Sequence, residues 1–211
     1  HYIVYIHTNN WIYRYIVMDY RIDKQTLLDP MEQWNHFLKR KVHLVACGGT
    51  AMTLLQVKPS TKDIDFMIPR ADEYGYLIKV LKTLGYENVT GNGWQRKGDI
   101  FHFDLFEGKR IHTTELLESP LAPGNHTLLK EYNRLYIGIL NEYDLITSKL
   151  MRGTTVDFED CLMLMKSKRH SIDIKRLVYH YRELASYDIA EARIAIHLDR
   201  FIELLKMEGI I

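Results

Sequence analysis

The chain has 211 residues, enough for one large domain or two small ones around a real core. At 46% hydrophobic and 26% charged residues, with a formal net charge of +1, it is neither a disordered polyelectrolyte nor a globally basic nucleic-acid binder, though a local basic patch remains open. Its two cysteines, Cys47 and Cys161, lack CxxC spacing, which argues against a disulfide scaffold or structural zinc site and favours a reducing, cytoplasmic setting.

Residues 1–17, HYIVYIHTNNWIYRYIV, lack the uninterrupted apolar core of a signal peptide. They read either as an upstream, non-native extension ahead of Met18 or as a strand pairing with a sheet edge. No run in the chain approaches the roughly 18 apolar residues needed to span a bilayer, so no membrane partner is expected. Asp29-Pro30-Met31-Glu32 predicts a helix start, with Asp29 as cap, Pro30 in first position and Glu32 reaching back. Trp34, Phe37 and Leu38 then recur at helical spacing.

Residues 42–46 predict a buried strand, 50–56 a short helix and 63–68 a second strand ended by Pro69. A helix over 71–84 follows, with Tyr74, Leu77, Ile78, Leu81 and Leu84 on one face and Gly85 closing it. Gly91-Asn92-Gly93 is a turn that joins strands near 86–90 and 94–97, and 100–106 is another strand. After residue 115 the pattern changes. A Pro- and Gly-marked loop leads to a last strand over 135–140, then helices near 141–152, 157–167, 172–185 and 188–207, with Asn141 and Ser171 as caps. The expected architecture is α+β: a core over 18–115 built on a mixed sheet flanked by helices, then a mainly helical region over 116–211 forming a C-terminal bundle.

The chemistry concentrates between residues 45 and 67. Asp63 and Asp65 sit two apart on a predicted strand, so both carboxylates share a face among apolar Ile64, Phe66 and Met67. Such a pair is costly unless solvated or bound to a cation. Carboxylate oxygens suit Mg²⁺, or Mn²⁺ in its place, which also takes substrate phosphate oxygens. Gly48-Gly49 follows a strand and opens a helix, so its backbone amides can approach phosphates, and the Thr50 hydroxyl can add a contact. In IFHFDLF, Asp104 shares a face with His102 and Phe106. If that strand lies beside 63–68, three acids converge, and Asp104 can take the proton from an acceptor hydroxyl. Against this stands a simple pairing of Asp104 with Lys109 or Arg110 beyond the turn.

Cys47-Gly48-Gly49 followed by Asp63-Ile64-Asp65-Phe66 resembles the signature of the DNA polymerase β-like nucleotidyltransferase superfamily. The resemblance implies that Gly48 and Gly49 hold a nucleoside triphosphate, that Asp63 and Asp65 bind Mg²⁺, and that a third acid, mapped to Asp104, completes the metal set. Lys149, Arg152, Asp157 and Asp160 are in turn similar to the Lys…Arg…Asp-x-x-Asp arrangement of the minimal branch related to AbiEii toxins. That likeness implies that Lys149 contacts the triphosphate and that Asp157 or Asp160 orients it. The competing reading is an ordinary surface ion pair at a helix junction. Departing from that branch, the helix after the Gly turn carries no cation; Lys58 and Lys62 are the cations of the interval.

Residues 166–182 are the most basic stretch. With Tyr179 and Tyr181 interleaved they can touch RNA, or simply form a solvated helical face. The expected activity is metal-dependent transfer of a nucleoside monophosphate to a hydroxyl of RNA, protein or a small molecule. An antitoxin or a second copy is a further partner class. The rival is a non-catalytic nucleotide-binding or toxin–antitoxin interaction module on the same fold.

Overall fold

The computed structural model describes residues 22–211, so both readings of residues 1–17 lie outside the described part. Helix α1 (Lys24–Phe37) starts earlier than the sequence suggests. Asp23 is its cap, accepting from the Thr26 amide, and Pro30 lies inside the helix. Asp29 instead accepts a side-chain hydrogen bond from Gln25. The Asp-Pro pair mimics a helix start, but burial of Leu27 and Met31 on one stripe with Trp34 carries the helix through the proline.

The strands and helices then follow as β1 (Val42–Ala46), α2 (Gly48–Leu54), β2 (Ile64–Ile68), α3 (Ala71–Thr83), β3 (Tyr86–Thr90), β4 (Gly93–Arg96) and β5 (Phe103–Glu107). A small hairpin, β6 (Arg110–Ile111) and β7 (Thr114–Glu115), precedes β8 (His126–Glu131) and β9 (Leu135–Leu140). Helices α4 (Glu142–Arg152), α5 (Thr155–Ser167), α6 (Ile174–Ala185) and α7 (Glu191–Met207) complete the chain.

Seven strands form one mixed sheet in the order β3-β4-β5-β2-β1-β9-β8. The β1–β9 and β2–β5 pairs are parallel, while β1–β2 is antiparallel. The sheet therefore draws its last two strands from beyond residue 115, with β9 lying between β1 and the edge strand β8. The all-helical part begins at Glu142. One sheet face is closed by α1, whose Trp34 packs on Phe103 and Tyr86 with ring centroids 4.7 and 5.8 Å away.

In the helical part, Leu150, Leu177, Leu198, Phe201 and Leu205 are buried. Tyr181 is buried with them and its hydroxyl donates to the Ile194 carbonyl at 2.7 Å. It is therefore unavailable to stack on a base, and the interleaved-tyrosine reading of 166–182 is left with exposed Tyr179. The α6 cap is Asp173 rather than Ser171. Among the described residues no helix is long and apolar enough to cross a membrane.

Candidate active site

Parallel pairing of β2 with β5 sets Asp65 directly beside Asp104 in register, with Met67 beside Phe106. Side chains at these positions share one face of the sheet. The parity argument for a third acid is thereby realised: two carboxylates from neighbouring strands stand side by side. Lys109 and Arg110, the competing partners for Asp104, pair instead with Glu115, at 3.6 and 3.3 Å. His102 is the near neighbour of Asp104, its Nε2 lying 3.7 Å from Oδ2.

Asp63 lies just before β2 and is exposed, whereas Asp65 is 6% exposed. Burial pushes the Asp65 carboxyl up to about 7, and the charges of Asp104 and Asp63 add to the rise; Lys149 and Arg152 act against it. Three acids thus sense one another at this point, with two cations within electrostatic reach.

Gly48 makes this crowding sterically feasible. It has φ of +55°, and a Cβ there would stand 2.5 Å from Asp65 Oδ2. A side chain would be strained by the backbone and would collide with the carboxylate. A Cβ on Gly49 would meet the Thr61 hydroxyl at 2.5 Å. The glycine pair therefore lets the start of α2 lie against the DxD segment. The Cys47 amide donates to the Asp65 carbonyl at 3.2 Å, and the first intrahelical bond of α2 is Ala51 N–H to Cys47 O. The amides of Gly48, Gly49 and Thr50 consequently have no intrahelical acceptor and are suited to an anion.

Thr50 does other work than expected. Its side chain is fully buried, accepts from the Asp65 amide at 2.8 Å and donates to the Asp63 carbonyl at 3.1 Å. With both bonds spent on the backbone between the two aspartates, the hydroxyl fixes the DxD segment rather than facing a phosphate.

Lys149 is also placed differently from a free ammonium in a cleft. It is 3% exposed and donates to Asp160 Oδ2 at 2.7 Å, with Asp157 Oδ1 at 3.8 Å. Asp160 is shared with Lys58, whose ammonium bonds its other oxygen at 2.7 Å. The pairing is buried, so the surface-pair reading fails. Asp157 holds Arg152, whose NH2 donates at 2.5 Å, and closes a capping box with Thr154 at the start of α5. Arg152 and its hydrogen bonds hold the Asp157 carboxyl below its ordinary range despite burial. The two acids thus have separate tasks: Asp160 anchors Lys149 and Lys58, and Asp157 aims Arg152.

Two residues enter to which the sequence reading gave no role in the site. Arg152 is more open than Lys149 and acts on both Asp65 and Cys47. Its signal was its position three residues after Lys149 on α4, ahead of Asp157. His112 sits at the β6–β7 turn with φ of +51°, its ring edge-on to Phe106 at 4.8 Å between centroids. Burial and Arg152 lower its basicity while Asp104, Asp157 and Asp63 oppose them. A two-residue hairpin of this kind had no visible pattern in the sequence.

Among the described residues, no three His, Cys, Asp or Glu side chains gather into a closed metal cage. The donor set nevertheless fits a hard divalent cation. Mg²⁺ commonly takes only one or two carboxylates and completes its shell with water and phosphate oxygens. Adjacent Asp65 and Asp104, where burial first and the neighbouring charge second raise the Asp65 carboxyl to about 7, are a pair that a cation would relieve.

No family model and no curated protein sequence matches the chain. Solved structures similar to it include ANT(2")-Ia in complex with adenylyl-2"-tobramycin, at 12% identity over 77% of this chain and 92% of that one, with a TM-score of 0.47. The antibiotic-resistance factor ANT(2'')-Ia in solution is similar at 13% identity over 82% and 93%, TM-score 0.47. An antigenic nucleotidyltransferase-like protein from Paracoccidioides brasiliensis is similar at 12% identity over 85% and 95%, TM-score 0.42. These neighbours are nucleotidyltransferases or nucleotidyltransferase-like by name.

Proposed function

We propose that the protein is a metal-dependent nucleotidyltransferase that moves a nucleoside monophosphate from a nucleoside triphosphate to an acceptor hydroxyl. The observation that carries this reading is the in-register pair Asp65–Asp104, faced by the opening amides of α2 and by the Arg152 guanidinium. Carboxylates for a cation and donors for phosphates meet there from separate elements, which a structural ion pair does not require.

In this reading Asp63, Asp65 and Asp104 hold Mg²⁺ or Mn²⁺. When bound, the ion neutralises charge on the triphosphate and polarises the α-phosphorus. The amides of Gly48 and Gly49 cradle phosphate oxygens, and Arg152 pairs with them through its planar fork. Lys149, anchored by Asp160, supplies positive potential from below rather than an exposed ammonium. The acceptor hydroxyl gives its proton to Asp104 and its oxygen bonds the α-phosphorus. The bond from that phosphorus to the bridging oxygen breaks, and pyrophosphate leaves with the electron pair. The Lys149–Arg152–Asp157–Asp160 grouping supports the AbiEii-like branch within the superfamily.

The test incubates the protein with Mg²⁺ and each of four α-labelled nucleoside triphosphates, with RNA, protein and small-molecule fractions as acceptors. The expected outcome is transfer by the wild type and none by Asp63→Ala/Asp65→Ala, with unchanged circular dichroism. Transfer retained by that variant, or no metal-dependent nucleotide binding by the wild type, would overturn the reading.

A further inference from the structure

The β6–β7 hairpin carries a polar side chain beside the candidate centre that the nucleotidyltransfer scheme leaves unused. The base of the hairpin is fixed. Arg110 pairs with Glu115 and Ile111 with Thr114 across the two strands, and the Leu116 amide donates to the Lys109 carbonyl at 2.8 Å. Ile111, Thr114 and Leu116 are buried, while His112 and Thr113 form an exposed tip. A two-residue hairpin loop with positive φ at its first position ordinarily takes glycine there. Here that position is His112, at φ of +51°. A side chain in the left-handed region is strained, and such strain persists where something else holds the residue in place.

The tip stands on the acidic face of the sheet. The His112 ring packs edge-on to Phe106, 4.8 Å between centroids. Phe106 lies two residues past Asp104 on β5, so the two side chains share a face, about 7 Å apart along the strand. The β2–β5 register sets Met67 beside Phe106 and Asp65 beside Asp104, so the ring lies one step along the strands from the carboxylate pair. Arg152, Asp104, Asp157 and Asp63 all act on the imidazole. It is open to solvent, yet protein is close enough for desolvation to depress its basicity, as in the wall of a cleft. Among the described residues neither ring nitrogen has a hydrogen-bond partner. Packing on Phe106 needs no imidazole nitrogen, and glycine would spare the strain. What histidine adds at this position is an N–H donor, which the ring keeps whether neutral or protonated.

We propose that His112 is a further catalytic residue, donating a hydrogen bond from the hairpin tip to the phosphoryl group in transfer. The role rests on the nucleotidyltransfer reading. In the transition state charge is spread over the phosphoryl oxygens. A donor fixed in place before the reaction therefore favours that state over the bound ground state. A short hairpin with a buried base holds such a donor more firmly than a long, flexible side chain does. The contribution of His112 accordingly falls on kcat, whereas that of Arg152, paired to the triphosphate before transfer, falls on KM.

Two variants of the full chain separate the donor from the turn. His112→Gly removes the donor and relieves the backbone, while His112→Asn keeps an N–H donor on a residue that tolerates positive φ. In the transfer assay His112→Gly should lower kcat about 10- to 100-fold and change KM less than about twofold. Its Tm should be no lower than that of the wild type, and His112→Asn should recover part of kcat. A second readout needs no turnover. The His112 imidazole carbon–proton NMR signal, assigned by its loss in His112→Asn, is followed during titration with Mg²⁺ and the α,β-methylene analogues of the four nucleoside triphosphates. It should shift in the wild type and stay in place in Asp63→Ala/Asp65→Ala. Wild-type kcat in His112→Gly, a loss carried wholly by KM, or an unmoved His112 signal in a protein that binds nucleotide would overturn the role of His112 and leave the transferase standing. A shifted signal without transfer to any acceptor would sink the transferase alone, and no nucleotide binding would sink both.

Discussion

Asp65 carries the sharpest consequence at the scale of single residues. Its carboxyl titrates near 7 in the folded chain and in the ordinary range, near 3.8, when unfolded. Between those values the folded state holds a proton that the unfolded state has released, so stability falls as pH rises through that window. Asp65→Asn removes the titration with little change of shape. Its stability relative to wild type should therefore climb between pH 5 and pH 8, by about 2–3 kcal/mol, at roughly 1.4 kcal/mol per unit. Urea denaturation at the two pH values, without divalent cation, checks this. A constant difference would mean that Asp65 is ionised throughout. The same proton competes with a cation, so Mg²⁺ affinity should weaken about tenfold per unit below pH 7.

Elements bring these residues together, and here the sequence was informative in places and silent in others. The glycine pair, the DxD and the parity of Asp104 were legible because a strand's two-residue period and a tight turn leave local patterns. What Thr50 and Lys149 bond to was not legible. Those partners come from β2, the residue just before it and α5, and their choice depends on packing across the fold. Strand β8 escaped because it is an edge strand with a mostly exposed, non-alternating pattern. The α4–α5 junction gives the prediction at this scale. Thr154 caps α5 and bonds Asp157, which aims Arg152. Thr154→Ala should cost about 1 kcal/mol, typical of a lost cap, and raise the nucleotide KM severalfold. Arg152→Ala should raise that KM about 10- to 100-fold with the fold intact, and Arg152→Lys should recover only part because the planar fork is lost. Steady-state kinetics beside thermal melts would show it. A KM unmoved in Arg152→Ala would remove Arg152 from the phosphate site.

At the scale of the molecule, the sheet and the helical part are joined across the candidate site. β9 lies in the sheet between β1 and β8 and runs directly into α4, which carries Lys149 and Arg152 to α2 and the carboxylates. His197 of α7 bonds the Leu150 carbonyl at 2.8 Å, so the last helix steadies the same turn of α4. A ligand that bridges carboxylates and cations therefore ties the two parts into one cooperative unit. Mg²⁺ and nucleotide at about 100 times the dissociation constant should stabilise the fold by about 2.7 kcal/mol, raising Tm by roughly 5–10 °C for a chain of this size. The shift should appear equally in near-ultraviolet signals, to which Trp34 of α1, packed on the sheet, and Trp94 of β4 contribute, and in far-ultraviolet signals dominated by the helices. Asp65→Asn should lose most of it. If the tryptophan transition moved while the helical one stayed in place, the cleft would be closed by the sheet half alone, and the role assigned to α4 would fall.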